Sequence, residues 1–263
     1  MFVPGLVSVS FRALSPAEIV RAAARCGLAA VEWGGDVHVP HGDRRVAREV
    51  AAMTADAGLA CSSYGSYYRG PTSEADGLPF SAVLDSAEAL GVDLVRVWAG
   101  STGSAETGPA ERAAMVDHLR RISEAAAVRR IRVGLEYHRN TLTDTDESAA
   151  RLLAEVDHPN LYTYWQPHIE GHDGARAEGL QAVLSRLCAL HVFHWEPGSD
   201  GRNDHRPLAE GRERWRRFLT VARGADSGEA AALPVLLEFV RGDTVEQLER
   251  DAAVLQDVLS EFA

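Results

Sequence analysis

The sequence predicts a single (β/α)8 barrel of the TIM type that spans residues 1–263. Short β-branched or aromatic runs alternate with amphipathic helical segments, which is typical of parallel strands joined by helices. Eight such units fit within the 263 residues, and this number favours closure into a barrel. An open doubly wound sheet is the alternative. It needs a glycine-rich phosphate loop after its first strand, and FRALSPAE (11–18) contains none.

The first four units occupy residues 6–100. Strand one is expected over 6–10, and its helix begins at SPAE (15–18). There Ser15 is the N-cap, proline takes the first helical position and Glu18 follows three residues after the cap. Gly27 ends this helix as a glycine C-cap. The other strands of this half are expected over 29–33, 59–64 and 94–100, and the helices over 43–57 and 80–90.

The last four units follow the same alternation. Strands are expected over 131–138, 160–165, 189–195 and 234–240, and helices over 109–128, 146–156, 177–187, 213–222 and 244–259. The longest irregular stretch is 196–212, which is rich in glycine, aspartate and arginine. Since long loops after barrel strands usually carry binding residues, we expect this stretch to be functional and not a domain boundary.

Composition and charge exclude some classes of partner. The chain is 46% hydrophobic and 25% charged, which is ordinary for a soluble globular protein. Its formal net charge of −11 is opposite to that of a nucleic-acid-binding surface, so DNA or RNA is not an expected partner. A small anionic substrate remains compatible, because a local arginine cluster can bind one.

The cysteines and the N-terminal segment bear on the cell compartment. Cys26, Cys61 and Cys188 are far apart, odd in number and outside any C-x-x-C motif, which fits a reducing cytoplasm. The segment MFVPGLVSVSFR has neither a basic n-region nor a long apolar h-region, so no signal peptide is expected. No apolar run reaches the length of a membrane span. We therefore expect a cytoplasmic protein that has no membrane partner.

Polar side chains lie near the carboxyl ends of the predicted strands, where barrel active sites form. Glu136 and Glu238 belong to strands five and eight, and His191 belongs to strand seven. Taken singly, each has a structural alternative, such as an ion pair of Glu136 with Arg96 or a histidine satisfied in the core. Burying two carboxylates together is costly unless a cation compensates them. The combination of glutamate and histidine matches the ligands of a divalent metal.

Several segments, taken in order, make the chain resemble the xylose isomerase-like sugar isomerases and epimerases, a superfamily that also contains endonuclease IV. The resemblance covers nearly the whole chain, and it depends on the order and strand positions of the segments together. These segments are VEWGGDVHVP (31–40), VRVWAG (95–100), LEYHRNTLTDT (135–145), LYTYWQP (161–167), LHVFHW (190–195), RPLAEGRERW (206–215) and LEFVRGD (237–243).

The resemblance implies one divalent metal ion, with Mn²⁺ or Mg²⁺ favoured and Co²⁺ or Zn²⁺ left open. Members of the superfamily bind it with Glu, Asp, His and Glu from strands five to eight. By position, Glu136, His191 and Glu238 match the first, third and fourth of these ligands. Gln166 matches the second, where the superfamily usually has aspartate. An amide oxygen can ligate a hard cation, but the site then holds one negative charge fewer.

Two alternatives exist at this second position. A shifted register would place Trp165 there, and an indole cannot ligate a metal. His168 is an alternative ligand, or it contacts the substrate. His138 lies two residues after Glu136, on the same side of the strand, and is a second candidate for substrate contact.

The activity that the resemblance implies is isomerisation or epimerisation of a sugar or sugar phosphate, a small-molecule carbohydrate. Such enzymes transfer a proton next to a carbonyl through an enediolate, with the metal as Lewis acid. Glu136 and Glu238 would be the catalytic acid/base pair. Further substrate contacts are expected from His138, His168, Arg96, Arg206, Trp33 and His38, with Trp165 as a second pocket wall and His41 beside His38 at the mouth.

Other functions remain open at this point. The same type of site supports dehydration of a keto-cyclitol or keto-sugar, so a lyase is the nearest alternative enzyme. A non-catalytic barrel subunit is a third hypothesis, which the glutamine at 166 makes compatible. Endonuclease IV activity is not expected, because it needs several zinc ions and a basic DNA-binding face. A homo-oligomer stays open, since no interface can be identified in the sequence.

Overall fold

The computed structural model describes residues 1–168, 171–198, 203–225 and 232–262. The strands of the barrel are β1 (Phe2–Val7), β2 (Ala30–Gly34), β3 (Ala60–Tyr68), β4 (Leu94–Val97), β5 (Arg132–Leu135), β6 (Leu161–Trp165), β7 (Leu187–Val192) and β10 (Leu233–Leu237). They are parallel and close in the order β1-β10-β7-β6-β5-β4-β3-β2. This arrangement confirms the predicted barrel.

The helices surround the barrel and connect consecutive strands. Their bounds are α1 (Pro16–Arg25), α2 (Arg44–Asp56), α3 (Pro71–Ala75), α4 (Phe80–Leu90), α5 (Pro109–Val128), α6 (Asp146–Val156), α7 (Asp173–Val183), α8 (Arg212–Ala222) and α9 (Val245–Ser260). The short helix α3 was not expected. None of the helices in the described ranges is long and apolar enough to cross a membrane.

The expected capping box of the first helix is present. The backbone N–H of Ser15 donates to Glu18 Oε2 at 2.8 Å, and Pro16 is the first helical residue. These contacts satisfy donors that a helix start leaves without intrahelical partners. The entry into α1 therefore follows from local sequence, as predicted.

Part of the irregular stretch after β7 forms an antiparallel hairpin. Its strands are β8 (His194–Pro197) and β9 (Asn203–Arg206), and residues 199–202 between them lie outside the described ranges. Aromatic rings join the hairpin to the end of β10, because Trp195 and Phe239 have ring centroids 5.8 Å apart. The hairpin thus lies beside the carboxyl ends of the strands.

Several predicted strands extend too far at the carboxyl end. Strand β5 ends at Leu135 and β10 at Leu237, so Glu136 and Glu238 are the first residues after their strands. Gln166 follows β6 in the same way, whereas His191 lies within β7. These side chains therefore start at the carboxyl end of the barrel, where the chain is released from the strand ladder.

Candidate metal centre and active site

Glu136, His191 and Glu238 come together at the carboxyl end of the barrel. Each offers one ligand atom, and the three atoms lie within 4.8 Å of one another. His191 Nδ1 is 3.5 Å from Glu136 Oε1 and 3.2 Å from Glu238 Oε2. All three side chains are buried. The strands β5, β7 and β10 thus assemble a set of groups that is far apart in sequence.

The donor set fits a divalent metal. Two carboxylates and an imidazole provide the mixed oxygen and nitrogen ligands that such ions accept. Glu238 Oε2 is buried and has no hydrogen bond of acceptable geometry within the described part of the chain, despite its proximity to His191. A buried carboxylate oxygen without a partner is unfavourable unless a cation compensates it. Glu136, His191 and Glu238 are therefore the residues that could hold the ion.

The charge on His191 responds to these neighbours. Burial alone would lower its pKa, but Glu238 and Glu32 favour the imidazolium and raise the pKa to about 9. A cation at this position is thus stabilised by the surrounding carboxylates. Glu238 and Glu32 therefore favour positive charge at His191.

Gln166 joins the cluster through its amide. Its Nε2 donates to the backbone carbonyl of Tyr137 at 2.5 Å, which fixes which end of the amide carries the oxygen. Gln166 Oε1 consequently faces His191 Nδ1 at 3.1 Å. The structure therefore brings the side chain that the sequence left most open beside the candidate ligand His191.

The charge of residue 166 should tune metal affinity. Replacing Gln166 by glutamate, which has nearly the same length, is expected to lower the Kd for Mn²⁺ by about tenfold, because one more carboxylate faces the ion. Gln166→Met, which keeps the volume without a strong ligand, should raise the Kd. Isothermal titration of metal-free protein measures both. A Glu variant that binds Mn²⁺ more weakly than the Met variant would contradict this position for residue 166.

A buried ion pair contacts the Glu136 carboxylate of the cluster. Arg96 Nε donates to Glu32 Oε1 at 2.8 Å, and Arg96 Nη1 also contacts Glu136 Oε2. Burial alone would raise the pKa of Glu32, but Arg96 and His191 lower it to about 2. Gly65 leaves room for this pair, since a Cβ there would lie 2.6 Å from Arg96 Nη2. A Cβ at this position of β3 would force the Arg96 guanidinium or the Glu32 carboxylate to shift.

Glu32 also faces the far side of the candidate histidine ligand. Its Oε1 lies 3.6 Å from His191 Nε2, while His191 Nδ1 faces the candidate metal ligands. A carboxylate behind a ligating imidazole orients the ring and raises its basicity. Glu32 is thus placed to keep Nδ1 directed at the metal position. Glu32 was not among the residues expected at the site from the sequence.

A cavity of about 230 Å³ opens beside the cluster. Its wall combines candidate metal ligands, arginines and aromatic rings, and it consists of Val9, Ser10, Arg12, Tyr67, Arg96, Trp98, Glu136, His138, Glu238 and Phe239. A cleft lined by apolar side chains with a few convergent polar groups is the usual form of a small-molecule site. The predicted residues Arg96, Glu136, His138 and Glu238 all line it.

His138 is held as a neutral imidazole on this wall. Its ring stacks on Trp98 with centroids 4.0 Å apart, and Nδ1 lies 2.6 Å from the carbonyl oxygen of Arg139. Since a carbonyl only accepts, Nδ1 carries the proton and Nε2 keeps its lone pair. Burial lowers the pKa of His138, which also favours the neutral form. His138 therefore offers Nε2 as a proton acceptor at the cavity.

Three residues expected to contact substrate lie elsewhere. The described residues that line the cavity do not include Trp33, His38 or Arg206. Trp33 is fully buried in the core. His38 Nδ1 lies 2.9 Å from Ser8 Oγ, and its Nε2 lies 3.1 Å from the Leu14 carbonyl oxygen. Both ring nitrogens of His38 thus have partners within the protein.

Arg206 and the two other residues suggested for the pocket also have partners of their own. Arg206, on the hairpin, pairs with Asp204 and Glu210. Trp165 packs against Phe218 of α8, with centroids 4.9 Å apart, and so faces the helix layer. His41 Nδ1 lies 2.8 Å from the Tyr64 hydroxyl.

His168 lies one layer behind the cavity. Its ring stacks on Tyr137 with centroids 4.9 Å apart, and its Nε2 is 3.7 Å from Asp146 Oδ1. The described residues that line the cavity do not include His168. It is therefore placed beside a partly exposed carboxylate at the start of α6.

Comparison with known proteins adds to this geometry. A family model described as xylose isomerase-like TIM barrel matches residues 20–255. A curated 3-dehydroshikimate dehydratase from Bacillus anthracis is 40% identical over 89 residues, which is 31% of this chain and 32% of that protein. The chain thus spans about a third of the length of the curated relative that it matches.

Solved structures resemble the whole barrel. The probable 3-DHS dehydratase AsbF from Bacillus anthracis, described as involved in petrobactin synthesis, is 24% identical with a TM-score of 0.78, and the likeness covers 97% of this chain and 99% of that one. A xylose isomerase-like TIM barrel protein from Mycobacterium smegmatis in complex with magnesium is 18% identical with a TM-score of 0.72, over 99% and 98% of the two chains. At these identities the likeness establishes the fold.

Proposed function

The chain belongs to the xylose isomerase-like TIM-barrel family, and we propose that it is a divalent-metal-dependent dehydratase that removes water from a hydroxylated cyclic ketone such as 3-dehydroshikimate. The observation that carries this proposal is the position of His138 on the same cavity wall as Glu136 and Glu238, with its Nδ1 held by the Arg139 carbonyl oxygen. The partial likeness to the curated 3-dehydroshikimate dehydratase supports the choice of substrate.

The residues that would hold the metal are Glu136, His191 and Glu238, with the amide oxygen of Gln166 as a fourth ligand. A bound divalent ion supplies a Lewis acid that polarises the substrate carbonyl. The magnesium complex of the Mycobacterium smegmatis barrel supports a divalent ion in this fold. The choice among Mn²⁺, Mg²⁺, Co²⁺ and Zn²⁺ stays open, because carboxylate and imidazole ligands suit all four.

His138 is the proposed base. Its Nε2 accepts the proton from the carbon next to the carbonyl, since Nδ1 is engaged with the Arg139 carbonyl. The electrons of the broken C–H bond form a C=C bond while the C–O bond on the following carbon breaks. The departing hydroxide leaves with that proton as water. Trp98 fixes the base by stacking on its ring.

Isomerisation or epimerisation of a sugar or sugar phosphate is the second candidate, and it stays a prediction. That reaction would use Glu136 and Glu238 as the acid/base pair. However, Glu136 Oε2 already contacts Arg96 and accepts a hydrogen bond from Trp98 Nε1 at 2.5 Å. Donors on a carboxylate stabilise its charged form and weaken it as a base. The geometry therefore favours His138 over Glu136 as the proton acceptor.

One assay tests the two candidates together. Loss of water from 3-dehydroshikimate, followed by enolisation of its ketone, gives 3,4-dihydroxybenzoate, whose aromatic ring is followed by ultraviolet absorbance. Protein loaded with Mn²⁺ is expected to form it, and chelator-treated protein is not. In parallel, a panel of keto-sugars and their phosphates is incubated in D₂O and analysed for deuterium incorporation.

Each outcome has a consequence. Formation of 3,4-dihydroxybenzoate without deuterium in the sugars supports the dehydratase. Deuterium incorporation with retention of the carbon skeleton, in the absence of any dehydration, would replace it by an isomerase or epimerase. Metal binding without turnover in either arm would overturn both in favour of a non-catalytic barrel subunit.

A further inference from the structure

The loop after β1 places two polar residues on the cavity wall. Strand β1 ends at Val7, and the helical turn that follows carries Ser10, with Arg12 just after it. Ser10 is only 8% exposed, and its Oγ has no hydrogen-bond partner among the described residues. A buried hydroxyl without a partner is rare and costs free energy unless a ligand or water satisfies it. Its position on the cavity wall points to a ligand there.

Tyr67 is held on the same wall in a strained conformation. Its φ of 54° lies in the left-handed region that non-glycine residues rarely adopt. The register between β3 and β4 shifts between Gly65 and Tyr68, so the irregularity itself delivers Tyr67 to the cavity. Strain of this kind is concentrated at ligand-binding positions.

The Tyr67 side chain links two arginines. Its ring centroid is 4.9 Å from the Arg96 guanidinium and 5.6 Å from that of Arg12. Arg12 Nη2 donates to the Tyr67 hydroxyl at 3.1 Å. The phenol therefore holds the Arg12 guanidinium against the cavity wall.

The two arginines differ in how far their charge is compensated. Arg96 is buried between Glu32 and Glu136, so its charge is balanced inside the barrel. Arg12 has a side chain that is 51% exposed, and it pairs with Asp36, which is itself partly exposed. Solvent screens such a pair, and a guanidinium has five donors in a planar fork. Arg12 can therefore bind the carboxylate of a ligand in addition to that of Asp36.

We propose that Arg12, together with the hydroxyls of Ser10 and Tyr67, forms a subsite for a carboxylate group of the substrate. This inference rests on the proposed function, because it assumes that the keto and hydroxyl end of the same molecule faces Glu136 and Glu238. The substrates of the chain are then hydroxylated keto acids, and neutral keto-sugars bind more weakly. Arg12 is a specificity-determining residue in this arrangement.

A pair of matched probes isolates the carboxylate. Both 3,4-dihydroxybenzoate and catechol carry adjacent hydroxyls, and the first adds a carboxylate. Their Kd values are measured by isothermal titration against the Mn²⁺-loaded protein. A charge-assisted bidentate contact predicts that the wild type binds 3,4-dihydroxybenzoate about 10- to 100-fold more tightly than catechol. Equal affinity for the two probes would overturn the subsite.

Variants assign the preference to Arg12. Arg12→Gln is expected to abolish the difference between the probes while leaving catechol affinity unchanged. Ser10→Ala should reduce the difference and keep the fold, because the hydroxyl that it removes has no hydrogen-bond partner among the described residues. Arg45→Gln, an exposed arginine of α2 with the same loss of charge, should keep the full difference. A preference that survives in Arg12→Gln would remove this residue from the subsite.

Two further comparisons separate the possible failures. Benzoate should displace 3,4-dihydroxybenzoate better than inorganic phosphate does, and the reverse order would overturn the carboxylate in favour of a phosphorylated substrate. Turnover of 3-dehydroshikimate without any carboxylate preference would reject only the subsite. A carboxylate preference lost in Arg12→Gln, without turnover, would support the subsite and reject only the dehydratase.

Discussion

Replacing Glu238 by alanine is expected to abolish both metal binding and turnover. Glu238 supplies a buried carboxylate to the cluster with Glu136 and His191, and its Oε2 makes no hydrogen bond within the described residues. Removing a direct ligand should weaken Mn²⁺ binding by more than about 100-fold, the upper end of the loss caused by removing an outer partner of a ligand. Isothermal titration and the dehydration assay measure the two effects.

Thermal unfolding distinguishes this loss from misfolding. Since Glu238 lies 3.2 Å from His191 Nδ1 and favours its imidazolium, the metal-free variant should unfold cooperatively but at a lower temperature than the metal-free wild type. Mn²⁺ should raise the Tm of the wild type by mass action and leave that of Glu238→Ala unchanged. Glu49→Ala, which removes an exposed carboxylate of α2, is the matched control. An equal Tm shift in Glu238→Ala would exclude Glu238 as a ligand.

Replacing His138 by phenylalanine is expected to stop the chemical step while the metal stays bound. Phenylalanine keeps a ring that can stack on Trp98 but lacks the Nε2 that we propose as the base. A positioned general base contributes about 10²- to 10⁴-fold to a rate, so kcat should fall within that range. Steady-state kinetics with 3-dehydroshikimate measure kcat, and titration with Mn²⁺ confirms metal occupancy.

The control for this variant is another histidine-to-phenylalanine change. His41→Phe alters a histidine that contacts Tyr64 and is absent from the described cavity wall. It should keep kcat within a few-fold of the wild type. Should His138→Phe retain wild-type kcat, the proton would have to be taken by Glu136 or Glu238, as the sequence first suggested.

The sequence was sufficient to predict the barrel and to select three side chains that the structure brings together at its carboxyl end. Glu136, His191 and Glu238 could be proposed because they lie together near the carboxyl ends of strands and match, by position, the ligands that the family resemblance implies. Gln166 could be placed for the same reason, since it directly follows a strand. These residues approach one another in space because the eight strands close into a barrel.

The alternation of side chains along a strand explains what was missed on β2. Successive residues point to opposite faces, so a choice between neighbours depends on parity. Trp33 was expected at the pocket, whereas its neighbour Glu32 faces His191 and Arg96 inside the barrel. Trp165 likewise packs outward against α8, beside the inward-facing Gln166. Short apolar strands do not reveal which face is inside.

The cavity wall contributed by loops could not be predicted in the same way. Tyr67 reaches it through a register shift between β3 and β4, and no local pattern in the sequence marks that shift. Ser10 and Arg12 lie just beyond the end of β1, where strand periodicity no longer applies. Phe239, which also lines the cavity, has a φ of 51° in the left-handed region. These contributions depend on the assembled barrel and on conformations that single residues do not specify.

The central claim is that one divalent ion binds between Glu136, His191 and Glu238 at the carboxyl end of the barrel. Crystals of the protein soaked with Mn²⁺ and recorded at the manganese absorption edge test it directly. We predict one anomalous peak within ligand distance of Glu136, His191 Nδ1 and Glu238, on the side of His191 that also faces Gln166 Oε1. A peak only at other residues, or none in a fully soaked crystal, would contradict the claim.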